Sequence, residues 1–334
     1  MYLRSSSRAS RRIVGRSPVR PRLLQPQRLS SCKPLTLLRG RPAPTLTRFQ
    51  STNHLNAQSS LRYSTSTMAE LQEQLNPALL RELHDFWFEG CKTEAEFVLP
   101  KQETMMRWFM GGDDFDAQCV KRFAPALEAI RAAGITTSAQ VLESAKPQSP
   151  DEWVSLLLLL DQMPRNCYRG AAASTAFTVF DPIAQGVALK AIQQHNIPDG
   201  ASEVRWQFGR RPWFYLPLMH SESPDLHDLA IIQYGRMEAD MDHLIHSSPS
   251  ESPEAGEWER RAAVVVRADA EGAKKFVASN TEFEQKHYDI IKKFGRYPHR
   301  NAALGREPTT EEVEYLANGG ETFGAPAKKA KADA

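Results

Sequence analysis

Three short stretches of the sequence concentrate residues that could bind or transform a ligand. They are "DQMPRNCYRG" at 161–170, "HSES" at 220–223 and "FGRYPHRN" at 294–301. Together they supply a candidate pocket of nine polar side chains, which are Asp161, Arg165, Asn166, His220, Glu222, Arg296, His299, Arg300 and Asn301. Arginine binds carboxylates and phosphates through paired hydrogen bonds, and histidine exchanges a proton near neutral pH. The residue types therefore predict an anion pocket or an acid–base site.

Each stretch lies at the predicted end of a helix, beside apolar sequence. Asp161 follows five consecutive leucines, so its carboxylate should be buried and should need a cation or several N–H donors. Gly295 is expected to end a helix after Phe294, and Pro298 prevents that helix from resuming. Because helix ends of one domain can converge, we expect several of the nine side chains to meet within hydrogen-bonding distance around one cavity.

Two interpretations assign these side chains a function. In the first, the protein is a helical binding or interaction module whose pocket takes a small anionic ligand, a carboxylate or a phosphate, or which contacts a protein partner. In the second, it is an enzyme with His220 or His299 as general base and Asp161 or Glu222 as the orienting carboxylate. A metal-dependent enzyme would use His220, Glu222 and His299 as ligands, but the sequence has no H-E-x-x-H pair, so no metal or other cofactor is predicted. The sequence leaves open whether the protein is an enzyme.

A third interpretation is purely structural. Buried ion pairs would then fix how the helices pack, at a cost in desolvation. The expected pairs are Asp161 with Arg165 or Arg300, and Glu222 with Arg296 or His299. Asn166 and Asn301 would cap backbone groups at helix ends.

The spacing of the cysteines predicts reduced thiols and no particular chemistry. Cys91, Cys119 and Cys167 are widely separated and form no C-x-x-C pair for zinc or dithiol chemistry. An alternative gives Cys167 a chemical role, because Arg165 and Arg169 could lower its pKa and make it a nucleophile or redox sensor.

Helix starts recur along the chain, whereas patterns typical of strands are almost absent. Four starts place a capping residue before a proline at the first helical position: Asn76–Pro77, Ser149–Pro150, Asp181–Pro182 and Ser223–Pro224. Thr309 with Glu312 forms a further capping pair. The sequence therefore predicts an all-α domain of about eight to ten helices, packed as antiparallel pairs.

Residues 1–67 have the composition of a mitochondrial transit peptide. They contain 13 basic residues, many serines, and no Asp or Glu. We expect a disordered leader, import into the mitochondrial matrix with cleavage near residue 63, and a cytosolic form that starts at Met68. The alternative is a basic tail that binds anionic surfaces or nucleic acid.

The remainder of the chain is predicted to be one helical domain over 68–318, with a flexible Ser/Pro/Glu-rich loop at 247–257 and a disordered tail at 319–334. It carries 29 basic and 40 acidic residues, a net charge of −11, which argues against a nucleic-acid partner because phosphate neutralisation requires a basic face. The apolar run "WVSLLLLL" ends after eight residues, so no membrane span is predicted.

Several motifs taken in order carry a resemblance to a known family. "DFWF", "RWF", "FDAQCVKRF", "LLLLLDQMPRNCYRG", "FYLPLMHSES" and "FGRYPHRNAALGRE" resemble the family called domain of unknown function 924, from about residue 83 to 316. The resemblance implies a tetratricopeptide-like α-α superhelix of unassigned activity. The family has many bacterial members and fungal relatives. The leader, the 247–257 loop and the lysine-containing tail depart from the bacterial pattern, and the chain is identified as a fungal member with a mitochondrial leader.

Overall fold

The computed structural model describes residues 67–193, 198–248 and 253–323, and every regular element in these ranges is helical. Residues 1–66 of the predicted leader, 249–252 of the predicted loop and 324–334 of the predicted tail lie outside the described residues. The helices are α1 (67–74), α2 (Pro77–Trp87), α3 (Glu94–Val98), α4 (Gln102–Met110), α5 (Gly112–Ala132), α6 (Ser138–Ala145), α7 (Pro150–Leu157), α8 (Met163–Cys167), α9 (Asp181–Gln193), α10 (Ser202–Arg205), α11 (Leu216–Met219), α12 (Pro224–His246), α13 (Pro253–Ala268), α14 (Ala270–Phe294) and α15 (Thr310–Ala317). Two π-helical turns, Leu158–Gln162 and Ala176–Phe180, and several 3-10 turns, among them Pro298–Arg300, join them.

The all-α fold is confirmed, and local capping explains most helix starts. The Asn76 side chain accepts hydrogen bonds from the backbone N–H groups at the start of α2, and the Ser149 hydroxyl accepts from Glu152 N at 3.2 Å. Ser223 precedes Pro224 at the start of α12. The Asn76 and Ser149 side chains satisfy N–H groups that have no partner within the helix, whereas the Ser223 side chain makes no capping hydrogen bond.

The predicted capping role of Asp181 is wrong, although α9 begins at this residue. The π-helical turn Ala176–Phe180 continues directly into α9, and Asp181 has helical backbone angles (φ −54°, ψ −47°). Its carboxylate contacts Arg165 and Arg300 instead of backbone N–H groups. An aspartate before a proline therefore looks like a cap in the sequence but serves as an ion-pair partner here.

Two boundaries and the helix number also differ from the predictions. Residues 253–257, predicted to lie in the flexible loop, already belong to α13, because Pro253 begins that helix as prolines do elsewhere in the chain. In the predicted tail, the ring of Phe323 stacks on His287 with centroids 3.6 Å apart. There are more than ten helices because several, such as Leu216–Met219, are single turns. The finer prediction of a tetratricopeptide-like superhelix stays a prediction.

The core is built around aromatic side chains and the leucine run. Trp213 makes edge-to-face contacts with Trp87 and Trp108, with centroids 5.0 and 5.2 Å apart. The five leucines 156–160 are at most 1% exposed, and they carry the chain from α7 into the first π-helical turn. Helix α12 packs against α13 and α14. None of the helices in the described part of the chain combines the length and apolar character needed to cross a membrane.

Candidate functional site

A buried carboxylate and a histidine form the centre of the site. Asp161, 2% exposed, lies in the π-helical turn after the leucine run, and its Oδ1 is 2.8 Å from His220 Nδ1 at the end of α11. Its Oδ2 accepts a hydrogen bond from Gln162 Nε2 at 2.6 Å. Burial would raise the pKa of Asp161, but Arg165 and His220 outweigh it and lower the pKa to about 2. The ionised carboxylate can only accept, so His220 Nδ1 carries the proton and Nε2 is the free ring nitrogen.

A second buried carboxylate, Asp181, joins two arginines. Its Oδ1 accepts from Arg165 Nη1 at 2.8 Å, and its Oδ2 lies 3.4 Å from Arg300 Nη1. Arg165 Nη2 is 3.7 Å from Asp161 Oδ1, and Arg300 Nη2 donates to the backbone oxygen of His220 at 3.0 Å. The two carboxylates and two guanidinium groups thus alternate in one connected network.

Three nitrogen atoms of this network are buried without a hydrogen-bond partner among the described residues. They are Arg165 Nη2, Arg300 Nε and His299 Nδ1. Burial, reinforced by the positive charges of Arg300 and Arg165, lowers the pKa of His299 to about 3. Burial and Arg165 likewise lower the pKa of His220, against the opposing effect of Asp161. Both imidazoles are therefore neutral at physiological pH. We call Asp161, Arg165, Asp181, His220, His299 and Arg300 the Asp161 cluster.

The other predicted site residues lie in neighbouring ion pairs. The expected partners of Glu222, Arg296 or His299, are wrong: its carboxylate binds Arg306 through contacts of 2.8 and 3.1 Å and accepts from Tyr297 N at 2.9 Å. Sequence reasoning did not select Arg306, although it lies in the same arginine-rich stretch.

Arg296 and Asn301 hold the loop before α15. Arg296 makes two contacts with the Glu312 carboxylate at 2.6 and 2.8 Å, and Asn301 Nδ2 donates to the same carboxylate at 3.1 Å. Glu312 also completes the capping box of α15 with Thr309. These contacts give Arg296 and Asn301 a structural explanation.

Asn166 and Cys167 lie apart from the Asp161 cluster. The Asn166 amide donates to Gln162 O at 2.9 Å and accepts from Arg169 at 3.4 Å, so both contacts are local ones within and just after α8. Burial raises the pKa of the Cys167 thiol to about 12. The alternative in which arginines activate this cysteine is therefore wrong.

The metal-dependent alternative requires His220, Glu222 and His299 to surround one ion. Within residues 67–193, 198–248 and 253–323, no group of three His, Cys, Asp or Glu side chains could hold a metal ion. Glu222, one of the three ligands that this alternative would require, is bound by Arg306.

Comparison with known proteins agrees with the resemblance found in the sequence. A model of the family described as "Bacterial protein of unknown function (DUF924)" matches residues 83–320. Among solved structures, a protein of unknown function from Agrobacterium tumefaciens is 26% identical to this chain, with a TM-score of 0.43; the match covers 72% of this chain and 98% of that one. None of the curated proteins compared with the chain matches it.

Proposed function

We propose, for a chain that belongs to the DUF924 family of proteins of unknown function, that it is a helical binding module whose Asp161 cluster binds a small anion. The ligand class is a carboxylate or a phosphate, because guanidinium and imidazole N–H groups recognise oxyanions. A tetratricopeptide-like superhelix, which the family resemblance implies, would carry this site among its helix ends.

One observation carries the proposal: buried nitrogen atoms of Arg165, Arg300 and His299 have no hydrogen-bond partner in the described protein, although Arg165 Nη2 keeps an ion-pair contact of 3.7 Å with Asp161. A buried donor without an acceptor costs about 1–3 kcal/mol, so such donors are usually satisfied by water or by a ligand. The oxygens of a bound carboxylate or phosphate would accept from the two guanidinium groups, and from His299 in the tautomer that carries its proton on Nδ1.

Added anions are expected to stabilise the full chain against heat. The probes are acetate, succinate, sulfate and inorganic phosphate, and a ligand at about 100 times its Kd should contribute roughly 2.7 kcal/mol by mass action. The measurement is the shift in melting temperature. His299→Ala should lose the saturable part of the shift, keep only the general stabilisation that sulfate and phosphate give by exclusion from protein surfaces, and leave the fold intact, because no ion pair of the described network uses this imidazole. His246→Ala, at an exposed position of α12, is the matched control and should keep the full shift.

Two results would contradict the anion site. Either no probe gives the wild-type chain a saturable rise in melting temperature, or His299→Ala retains that saturable rise, which would put the bound anion elsewhere. A large loss of stability in His299→Ala without any ligand effect would favour the purely structural interpretation.

A specific observation favours catalysis as the second candidate function. Asp161 fixes His220 through Nδ1 at 2.8 Å and so directs the free Nε2 toward a substrate proton, which is the arrangement of a general base. Turnover of esters of the bound anions by the wild type, lost in His220→Gln, would identify an enzyme. Binding of these compounds without turnover would identify a binding module.

We propose that the protein is located in the mitochondrial matrix. The support is the composition of residues 1–67, which contain 13 basic and no acidic residues. Sequencing the N-terminus of the endogenous protein is expected to give a chain that starts near residue 63, with a cytosolic pool that starts at Met68. A chain that retains Met1 and occurs only in the cytosol would refute both.

A further inference from the structure

We propose that the Asp161 cluster takes up a proton on His220 when it binds its anion. This proposal rests on the proposed function, because it requires an anion in the cluster. Because a proton is taken up, the anion should bind more tightly as the pH falls.

The first argument is the charge balance of the free cluster. Asp161 and Asp181 supply two negative charges, and Arg165 and Arg300 supply two positive charges, all within the connected contacts of 2.8–3.7 Å. Asp161, Asp181 and Arg300 are at most 6% exposed, so water screens these charges weakly. The free cluster therefore offers unpaired donors but no net positive charge.

An incoming anion would leave this balanced site with an excess negative charge. Burying an uncompensated charge is costly, and proteins avoid it by pairing the charge or by changing a protonation state. Taking one proton from solvent onto an imidazole nitrogen creates an N–H donor, restores neutrality for a singly charged anion such as acetate, and halves the excess charge for sulfate. No covalent bond other than this N–H bond changes.

The contacts identify His220 as the acceptor of the proton. Its Nδ1–H is bonded to the ionised Asp161 carboxylate, which stabilises an imidazolium, and its Nε2 has no hydrogen bond to any described residue. The groups that face His220 are Asp161 and Arg165 around the π-helical turn, Asp181 of α9, His287 of α14 and Arg300 of the 3-10 turn.

His299 has no such stabilising carboxylate. The charged and titratable groups that face it are Arg300, Arg165, His220 and Arg306; the three guanidinium charges oppose protonation of this ring, and a protonated His220 would add to them. The anion would therefore meet a neutral His299 and a protonated His220. In the free cluster, the positive charge of Arg165 disfavours the imidazolium form of His220. An oxyanion bound close to His220 would weaken that effect.

The test is calorimetric titration of the full chain with acetate and with sulfate, neither of which titrates at neutral pH. Repeating each titration at one pH in buffers of different ionisation enthalpy gives the number of protons taken up. We expect close to one proton per bound anion, and an affinity that falls about tenfold for each unit of rising pH by linkage. His220→Gln keeps an amide that can bond to Asp161 but cannot be protonated, so its uptake should fall to zero. His246→Gln is the control and should behave as the wild type.

The outcomes separate this proposal from the proposed function. Anion binding by the wild type with no proton uptake overturns the proton coupling and leaves the anion site standing. Uptake that persists in His220→Gln overturns the assignment to His220. No binding of either anion refutes the proposed function itself. The wild-type titration alone decides the coupling if His220→Gln does not fold.

Discussion

Replacing Asp181 by asparagine is expected to lower the free energy of unfolding by about 3–5 kcal/mol when no anion is present. Asp181 is 3% exposed and joins Arg165 and Arg300, so its loss leaves the cluster with an uncompensated positive charge. The neutral amide keeps the shape of the side chain. The measurement is chemical denaturation of the full chain.

The same variant should gain more from an anion than the wild type does. Its cluster carries one net positive charge, so acetate would restore the balance without a proton and with an affinity that is independent of pH, whereas sulfate, with two negative charges, would still leave one excess negative charge. Sulfate also stabilises proteins by exclusion from their surface, so a control is needed. Asp242→Asn, at an exposed residue 3.6 Å from Lys274, should lose little stability and show only that general effect. An Asp181→Asn variant that gains no more than this control would contradict the account.

Replacing His227 by leucine is expected to cost a similar amount, about 3–5 kcal/mol, because it breaks a fully buried pair. His227 and Glu284 are both 0% exposed, and the distance from Nδ1 to Oε1 is 2.6 Å. His227 Nε2 lies 2.9 Å from Ser221 O, so this histidine also fixes the residue that follows His220. Leucine has a similar volume, and the expected loss reflects the unpaired carboxyl group more than a cavity.

The loss in His227→Leu should depend on pH with a definite sign. Burial raises the pKa of Glu284, and His227 opposes that shift, so removing the imidazole should raise the pKa further. A carboxyl group with a raised folded pKa binds its proton more tightly in the folded state, and stability then falls as pH rises above the unfolded value near 4.3. Chemical denaturation at several pH values should show a steeper decline from pH ~5 to ~8 than in the wild type. A profile parallel to that of His246→Leu, an exposed control, would contradict this explanation.

The sequence predicts local features of this fold well because their causes are local. Asn76 and Ser149 cap helices through groups two or three residues away, and a neighbouring proline marks the same position. Asp181 carries the same signal and fails, because its partners Arg165 and Arg300 are 16 and 119 residues away.

In the candidate site, too, contacts between residues that are distant in the sequence were only partly predictable. Residue types and helix ends indicated that Asp161 and His220 could meet, although they are 59 residues apart. The sequence could not show which arginine binds Glu222, because Arg296, Arg300 and Arg306 lie in one stretch and only the path of the loop selects Arg306. Unpaired buried nitrogens, which carry the functional proposal, depend on three-dimensional packing and leave no mark in the sequence.

The most direct test of the anion site is nitrogen-15 NMR of the histidine side chains in the full chain during titration with acetate and sulfate. If the anion binds in the Asp161 cluster, the signals of His220 and His299 change along one saturation curve that matches the thermal stabilisation, while exposed His246 stays constant. Thermal stabilisation by these anions with unchanged His220 and His299 signals would show that they bind elsewhere, and would contradict the site proposed here.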